Sequence, residues 1–339
     1  MAALINNQTQ QHCLLQSHHS FGRLKSSVNS FIADAVVSKV HAFIEWHGQH
    51  WILRDVSSNG TWLNGNKLAG DKVAQLNVGD VINFASKSGY AFEVHDINPP
   101  CDCLIPVEHE SEAIELEYFH LLPSEKSNKR VLSYSNRTYS WWQETLDDNL
   151  SQSSMAAELN DQECLDIDGL TWQLQINRTI ADTQLLRPSV TSLDELTFLF
   201  QTSLDEESTH VVMQSGEEHI DLLTRSHHYL TLCLARQRAK DMQAGLDDSE
   251  QGWVYAELLA KDLGFDASHL NIQIYRMRKQ FVDALNNTCE SSNIIERSAG
   301  KLRLASKFFC ITKGDKVECD TRQFSQQNLS QSAEQYTNH

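Results

Sequence analysis

At 339 residues with 40% hydrophobic content, the chain is long enough for two or three domains with packed cores, which excludes wholesale disorder. Its 28 Lys and Arg stand against 45 Asp and Glu, net −17, so the chain as a whole is no nonspecific binder of nucleic acid or membrane surfaces, and any DNA contact must be local. The start MAALINNQTQQHC has neither a basic n-region nor an apolar h-region, and no run nears eighteen apolar residues, so a cytoplasmic protein without membrane contact is expected.

Residues 1–100 hold seven basic and seven acidic groups, residues 101–224 six and twenty-four, residues 225–313 thirteen and ten, and residues 314–339 two and four. A neutral, an acidic and a mildly basic block therefore precede a short tail. The eight Cys lack CxxC spacing, and Cys101-Asp-Cys103 is the only close pair, so free thiols and no metal are expected. His18-His19 and His227-His228 lack further ligands at helical or hairpin spacing and read as surface or core histidines. HExxH, GxSxG, P-loop and GxGxxG sequences are absent, so no catalysis and no cofactor are expected.

From Gln11 to Ile97 the chain breaks into short runs such as HAFIEW, WILRDV, TWLNG, VINFA and YAFEVH, separated by Gly, Asn, Asp and Ser about every ten residues. That pattern predicts an all-β sandwich, with Asn64-Gly65 as a tight turn. Four loop segments carry the chemistry: Gly22-Arg23, Ser38-Lys39-Val40-His41, Ser57-Ser58-Asn59-Gly60-Thr61 and Asn64-Gly65.

In that order, GR, VSKVHA and SSNGTWLNG resemble the forkhead-associated (FHA) domain pattern of GR, SxxH, SxNGT and a following NG, and LNVGDVINF closes the match. The resemblance covers residues 1–100 and implies recognition of a phosphothreonine peptide by loops at one end of the sandwich. The residue chemistry agrees. Arg23 can make paired, charge-assisted hydrogen bonds to a phosphate dianion, Ser38 and Ser58 add short hydroxyl donors, Lys39 adds a point charge, and Asn59 can hold the peptide backbone. The resemblance places His41 and Asn64 in loop-bracing positions behind them.

The acidic middle, residues 101–196, shows strand patterns in AIELEYFHLL, CLDI and LTWQLQI, with Asp168-Gly169 as a hairpin turn. The run from Asp147 to Gln162 reads as a loop or short helix, and Trp141, Trp142 and Trp172 read as core. A β-rich segment is expected. Its acidity either aids solubility or, because screening limits its reach to roughly 8–10 Å, acts on the basic block only by direct packing.

Residues 197–313 begin with the strands FLFQTS and HVVMQS, and three helical patterns follow. The first is expected to be capped by Thr224 and to stop near Gly245. The second runs through GWVYAELLAKDLG with Val254, Leu258, Leu259 and Leu263 inward and Gly264 at its end. The third begins at Asp266 or Ser268 and buries Leu270, Ile274, Met277, Phe281 and Leu285. Its opposite face carries Tyr275, Arg276 and Lys279, flanked by Gln273 and Arg278.

Three helices followed by NIIERSAGKLRLA, with Ala299-Gly300 at the bend, resemble the winged helix-turn-helix effector domain of OmpR/PhoB-type response regulators, an α+β fold. HLNIQIYRMRKQF is similar to its recognition helix and IIERSAGKLRL to its wing. By position, Arg276 would read a guanine edge and Gln273 an adenine or a phosphate, Tyr275, Arg278 and Lys279 would touch the DNA backbone, and Arg297, Lys301 and Arg303 would reach the minor groove or its phosphates. The match departs from the family at Asn271, at Tyr275 and in lacking RGxGY. A net charge of only +3 over residues 225–313 means that a homodimer or tandem sites would be needed for tight binding. Residues 314–339, rich in Gln, Ser and Asn, are expected to be disordered.

The expected protein is thus a multidomain regulator, with an FHA domain that binds a phosphothreonine protein from a Ser/Thr protein kinase pathway and a winged helix that binds double-stranded DNA to control transcription. The competing expectation is a phosphoprotein scaffold whose winged helix is a protein-interaction module.

Overall fold

The computed structural model describes residues 1–69, 73–109, 111–124, 127–146, 150, 156–177, 192–285 and 294–322. It divides into two compact units, Met1–Leu116 with Asp161–Leu185, and Glu117–Asn160 with Leu186–His339. The acidic middle is therefore not one body. Its strands are shared between the two units.

In the first unit, alternation of apolar and polar residues builds two facing sheets. One has six strands and includes Ala3–Asn6, Ala91–Asp96, Val81–Phe84 and Thr61–Leu63, and the other has five and includes His18–Gly22, Ala42–Trp46 and Trp51–Asp55. Ile44, Leu53, Ile82, Phe84, Phe92 and Val94 point inward with Phe21 and Trp51 to form the core. Between Thr61–Leu63 and Asn66–Lys67, Asn64 and Gly65 both take positive φ, 52° and 76°, the backbone that a two-residue hairpin needs. Strands Ile114–Glu115, Cys103–Pro106, Leu170–Gln175 and Cys164–Ile167 form a separate four-stranded sheet, turned at Asp168-Gly169 as the sequence predicts.

The second unit contains a four-stranded antiparallel sheet of Phe119–Ser124, Ser127–Ser135, Ser140–Thr145 and Ala157–Leu159. Ala157–Leu159, expected as loop or helix, pairs with Trp141–Gln143, while 147–149 and 151–155 lie outside the described residues. Trp141 and Trp172 are buried, each within its own unit. A five-stranded sheet joins Leu196–Thr202 and Thr209–Ser215 to Glu218–Thr224 on one side, and to Phe309–Lys313 and Lys316–Asp320 on the other. Lys316–Asp320 corrects the expectation of disorder from Gly314. Its ladder to Phe309–Lys313 and the buried Cys319 order it, and 323–339 lie outside the described residues.

Three helices lie between the third and fourth of these strands in the chain: α1 (His228–Gln243), α2 (Ala256–Leu263) and α3 (Ala267–Ala284). Thr224 does not cap α1, because its backbone completes a strand opposite His210. Val254 also leaves the helical pattern to pair with Leu302, and Leu258, expected inward, is 57% exposed, whereas Leu259 is buried. Gly264 ends α2 at φ 68°, and Asp266 caps α3 by accepting from the His269 N–H at 2.7 Å. Leu270, Ile274, Met277, Phe281 and Leu285 are all buried, as the spacing requires. Ile295–Ser298 and Lys301–Leu304 form the hairpin after α3, turned by Ala299 and Gly300 at positive φ.

Candidate functional site

The loop site begins at a close backbone approach. A Cβ on Gly22 would lie 2.2 Å from the Lys39 carbonyl oxygen, so only glycine lets the two loops meet there. The Arg23 N–H donates to the Ser38 carbonyl at 3.0 Å, and the Leu24 N–H to the Lys39 carbonyl at 3.2 Å. The third loop joins through the Ser58 N–H, which donates to Ser38 Oγ at 3.3 Å, and through Asn59 Nδ2, which donates to the Val36 carbonyl at 2.6 Å. Arg23, Ser38, Lys39, Ser58 and Asn59 are thus brought together at one end of the sandwich, with Arg23, Lys39, Ser58 and Asn59 exposed.

His41 stands beneath them, fully buried. Its Nδ1 accepts the Ser38 N–H at 3.0 Å, which leaves the proton on Nε2 to donate to the Gly60 carbonyl at 3.0 Å. Burial pushes its pKa down, so the ring stays neutral and holds this tautomer. One side chain thereby links the Ser38 and Gly60 loops. Asn64 braces the neighbouring turn by donating to Asp80 at 2.7 Å and accepting the Val81 N–H at 2.9 Å. Sequence reading placed Ser57 in the third loop without giving it a role; its hydroxyl accepts the Gly60 N–H at 2.7 Å and shapes that loop. Its signal was a serine three residues before a turn glycine.

The residues assigned to DNA lie differently. They do not form a solvent-facing row, because the sheet of residues 119–159 covers the outer face of α3. Phe119, Leu121, Val131 and Leu146 pack with Ile272, Tyr275 and Val282. Tyr275 stacks on Phe119 with ring centroids 5.3 Å apart and planes at 13°. Gln273, only 3% exposed, donates to His269. Arg278, 4% exposed, donates to Glu144 at 2.7 Å and to the Ile295 carbonyl at 2.5 Å, and Lys279 pairs with Glu117.

The hairpin cations are engaged as well. Arg297 donates to Asn271 at 2.6 Å and faces Glu144 at 3.7 Å, and burial lowers its pKa to about 10. Lys301 lies over the Tyr255 ring, and Arg303 pairs with Glu296 and lies over Trp253. Arg276 is half-buried at the edge of a cavity of about 380 Å³ that Arg225, His227 and Lys279 also line. Among the described residues, no group of three or more His, Cys, Asp or Glu could hold a metal ion, the seven described cysteines are free, and no helix is long and apolar enough to cross a membrane.

Residues 19–85 match the family model of the FHA domain, and the N-terminal domain of the chain is an FHA domain. Among solved structures, the chain is similar to Mycobacterium tuberculosis EmbR in complex with a low-affinity phosphopeptide, at 25% identity and a TM-score of 0.26, over 29% of this chain and 25% of that one. It is similar also to the N-terminal FHA domain of S. cerevisiae Rad53p in complex with a phosphothreonine peptide, at 25% identity and a TM-score of 0.26, over 29% of this chain and 93% of that one. The FHA domain of an Arabidopsis thaliana hypothetical protein is 28% identical over 29% of this chain and 87% of its own, with a TM-score of 0.26. The chain spans only a quarter of the length of EmbR. No curated protein matches it.

Proposed function

We propose that the chain is a non-enzymatic regulator whose FHA domain binds a phosphothreonine peptide or protein and whose second unit binds double-stranded DNA as a winged helix. The observation that carries the first half is the convergence of Arg23, Ser38, Lys39, Ser58 and Asn59 on one loop cluster, braced from below by His41. The Arg23 guanidinium makes no ion pair among the described residues and remains available to a dianion. The test is titration of a degenerate phosphothreonine peptide library and its unphosphorylated twin. Preference for the phosphorylated library is expected, and equal affinity would refute the reading.

Support for the second half is the succession of three helices and a hairpin, with Arg276, Arg278 and Lys279 on α3 and Arg297, Lys301 and Arg303 on the hairpin. Tyr275, Arg276 and Lys279 share one side of that helix, with Lys279 one turn after the adjacent pair. Selection from random duplexes followed by footprinting tests it, with a protected site expected. The scaffold reading is favoured by one specific observation, the burial of Tyr275 and Arg278 under the chain's own sheet. Under that reading no duplex is retained at any salt concentration.

A further inference from the structure

We propose that the sheet of residues 119–159 is a releasable intramolecular cap on the DNA-binding surface of α3, with Glu117 and Glu144 occupying places that DNA phosphates take in the open form. The inference rests on the DNA-binding reading above and adds its regulation.

The composition of the covered face is the first ground. A permanently buried helix face is ordinarily apolar, because charged groups cost free energy to desolvate. Here Ile272, Tyr275 and Val282 share the face with Arg278 and, at its margin, Lys279. The cap meets these cations with carboxylates, Glu117 on Lys279 and Glu144 on both Arg278 and Arg297.

The second ground is incomplete pairing. One carboxylate serves two guanidinium groups, and the Nε atoms of Arg278 and Arg297 are buried without a hydrogen-bond partner among the described residues. A partly satisfied buried network stabilises the closed arrangement less than apolar packing of the same area would. A polyanion offers the same cations more acceptors than two carboxylates do.

Chain connectivity is the third. The cap is tied at both ends to strands of the FHA-containing unit, to Ile114–Glu115 before it and to Cys164–Ile167 after it, by short connections. It is a segment inserted between two strands of one unit and seated on a helix of the other.

The test uses the full chain and short random-sequence duplex DNA at low salt, with binding followed by fluorescence anisotropy and the opening of α3 by hydrogen exchange. Glu117 is 64% exposed, so Glu117→Lys is compatible with folding while it repels Lys279. Glu117→Lys/Phe119→Asp/Glu144→Lys removes all three holds. Faster exchange across α3 and DNA binding at least about tenfold tighter than wild type are expected in the triple variant, with a smaller gain in Glu117→Lys. Faster exchange with unchanged, measurable DNA binding overturns the cap and leaves the DNA reading standing. Faster exchange with no DNA binding in any form overturns the DNA reading, and the cap with it. Unchanged exchange in the triple variant, folded by circular dichroism, shows a permanent interface and overturns the proposal.

Discussion

Arg23 and His19 are both parts of the FHA domain, yet they contribute through opposite physics, one by exposure and the other by burial. Under the proposed function, Arg23→Ala would delete a paired, charge-assisted contact and should weaken phosphothreonine peptide binding by about 2 kcal/mol, roughly thirtyfold, by calorimetry. Its thermal stability should stay near wild type, since the side chain packs in no core. His19 is 4% exposed; its Nδ1 accepts from the Gln16 N–H, and its Nε2–H donates to Ser30 Oγ at 2.8 Å. Burial first, and the neighbouring His18 second, hold its pKa near about 4. The unfolded chain, with a histidine pKa of about 6.5, takes up the proton first. Stability is therefore intact above about pH 6.5 and falls as pH drops toward 4, by about 2 kcal/mol at pH ~5 from this group alone. Urea unfolding of wild type and His19→Asn across that range checks it. The variant should show a flatter but not a level profile, because burial also holds His227 near about 4.

At the scale of elements, the turns and caps follow directly from residue type. Asn64-Gly65, Asp168-Gly169 and Ala299-Gly300 each place two consecutive residues at positive φ between paired strands. Asp266 caps α3, and Asp266→Ala should lower stability by about 1 kcal/mol in urea unfolding. Because α3 belongs to the second unit, that loss should show in the unfolding of that unit and leave phosphopeptide affinity unchanged. Elements departed from expectation where a ladder competed with a local pattern. Thr224 and Val254 both have helix-compatible surroundings, but each is taken up by a strand pairing, with His210 of the preceding strand for one and with Leu302, far along the chain, for the other. Local periodicity carries no information about such partners.

For the molecule as a whole, the division into units disagrees with the division by composition. The acidic middle is continuous in sequence, whereas strands Cys103–Pro106 and Leu170–Gln175 belong to one unit and Phe119–Leu159 to the other. A fragment of residues 101–196 should accordingly fail to fold alone, giving a denaturant profile without a cooperative transition by circular dichroism. A fragment of residues 197–322 should bind a hydrophobic dye more strongly than one that joins residues 117–160 directly to 186–322, because it uncovers Ile272, Tyr275 and Val282. Equal dye binding would mean that the sheet does not cover α3 in solution.

What the sequence determined by itself was local. The loop glycines and the order Arg23, Ser38, His41, Ser58, Asn59 and Asn64 identify the FHA domain, because a loop cluster of this kind is made from short motifs whose chemistry is written in consecutive residues. The buried stripe of α3 was legible for the same reason, since a helix repeats its inward face every three or four residues. Only the tertiary structure decided that the opposite face of that helix is covered too. Tyr275 and Phe119 are 156 positions apart, and so are neighbours only through folding. On a wheel, Arg278 and Lys279 read as contacts for a DNA backbone, and the acidity of the middle read either as an aid to solubility or as a surface that packs directly on the basic block. Their pairing with Glu144 and Glu117 depends on register between distant elements, which neither charge counts nor periodicity encode.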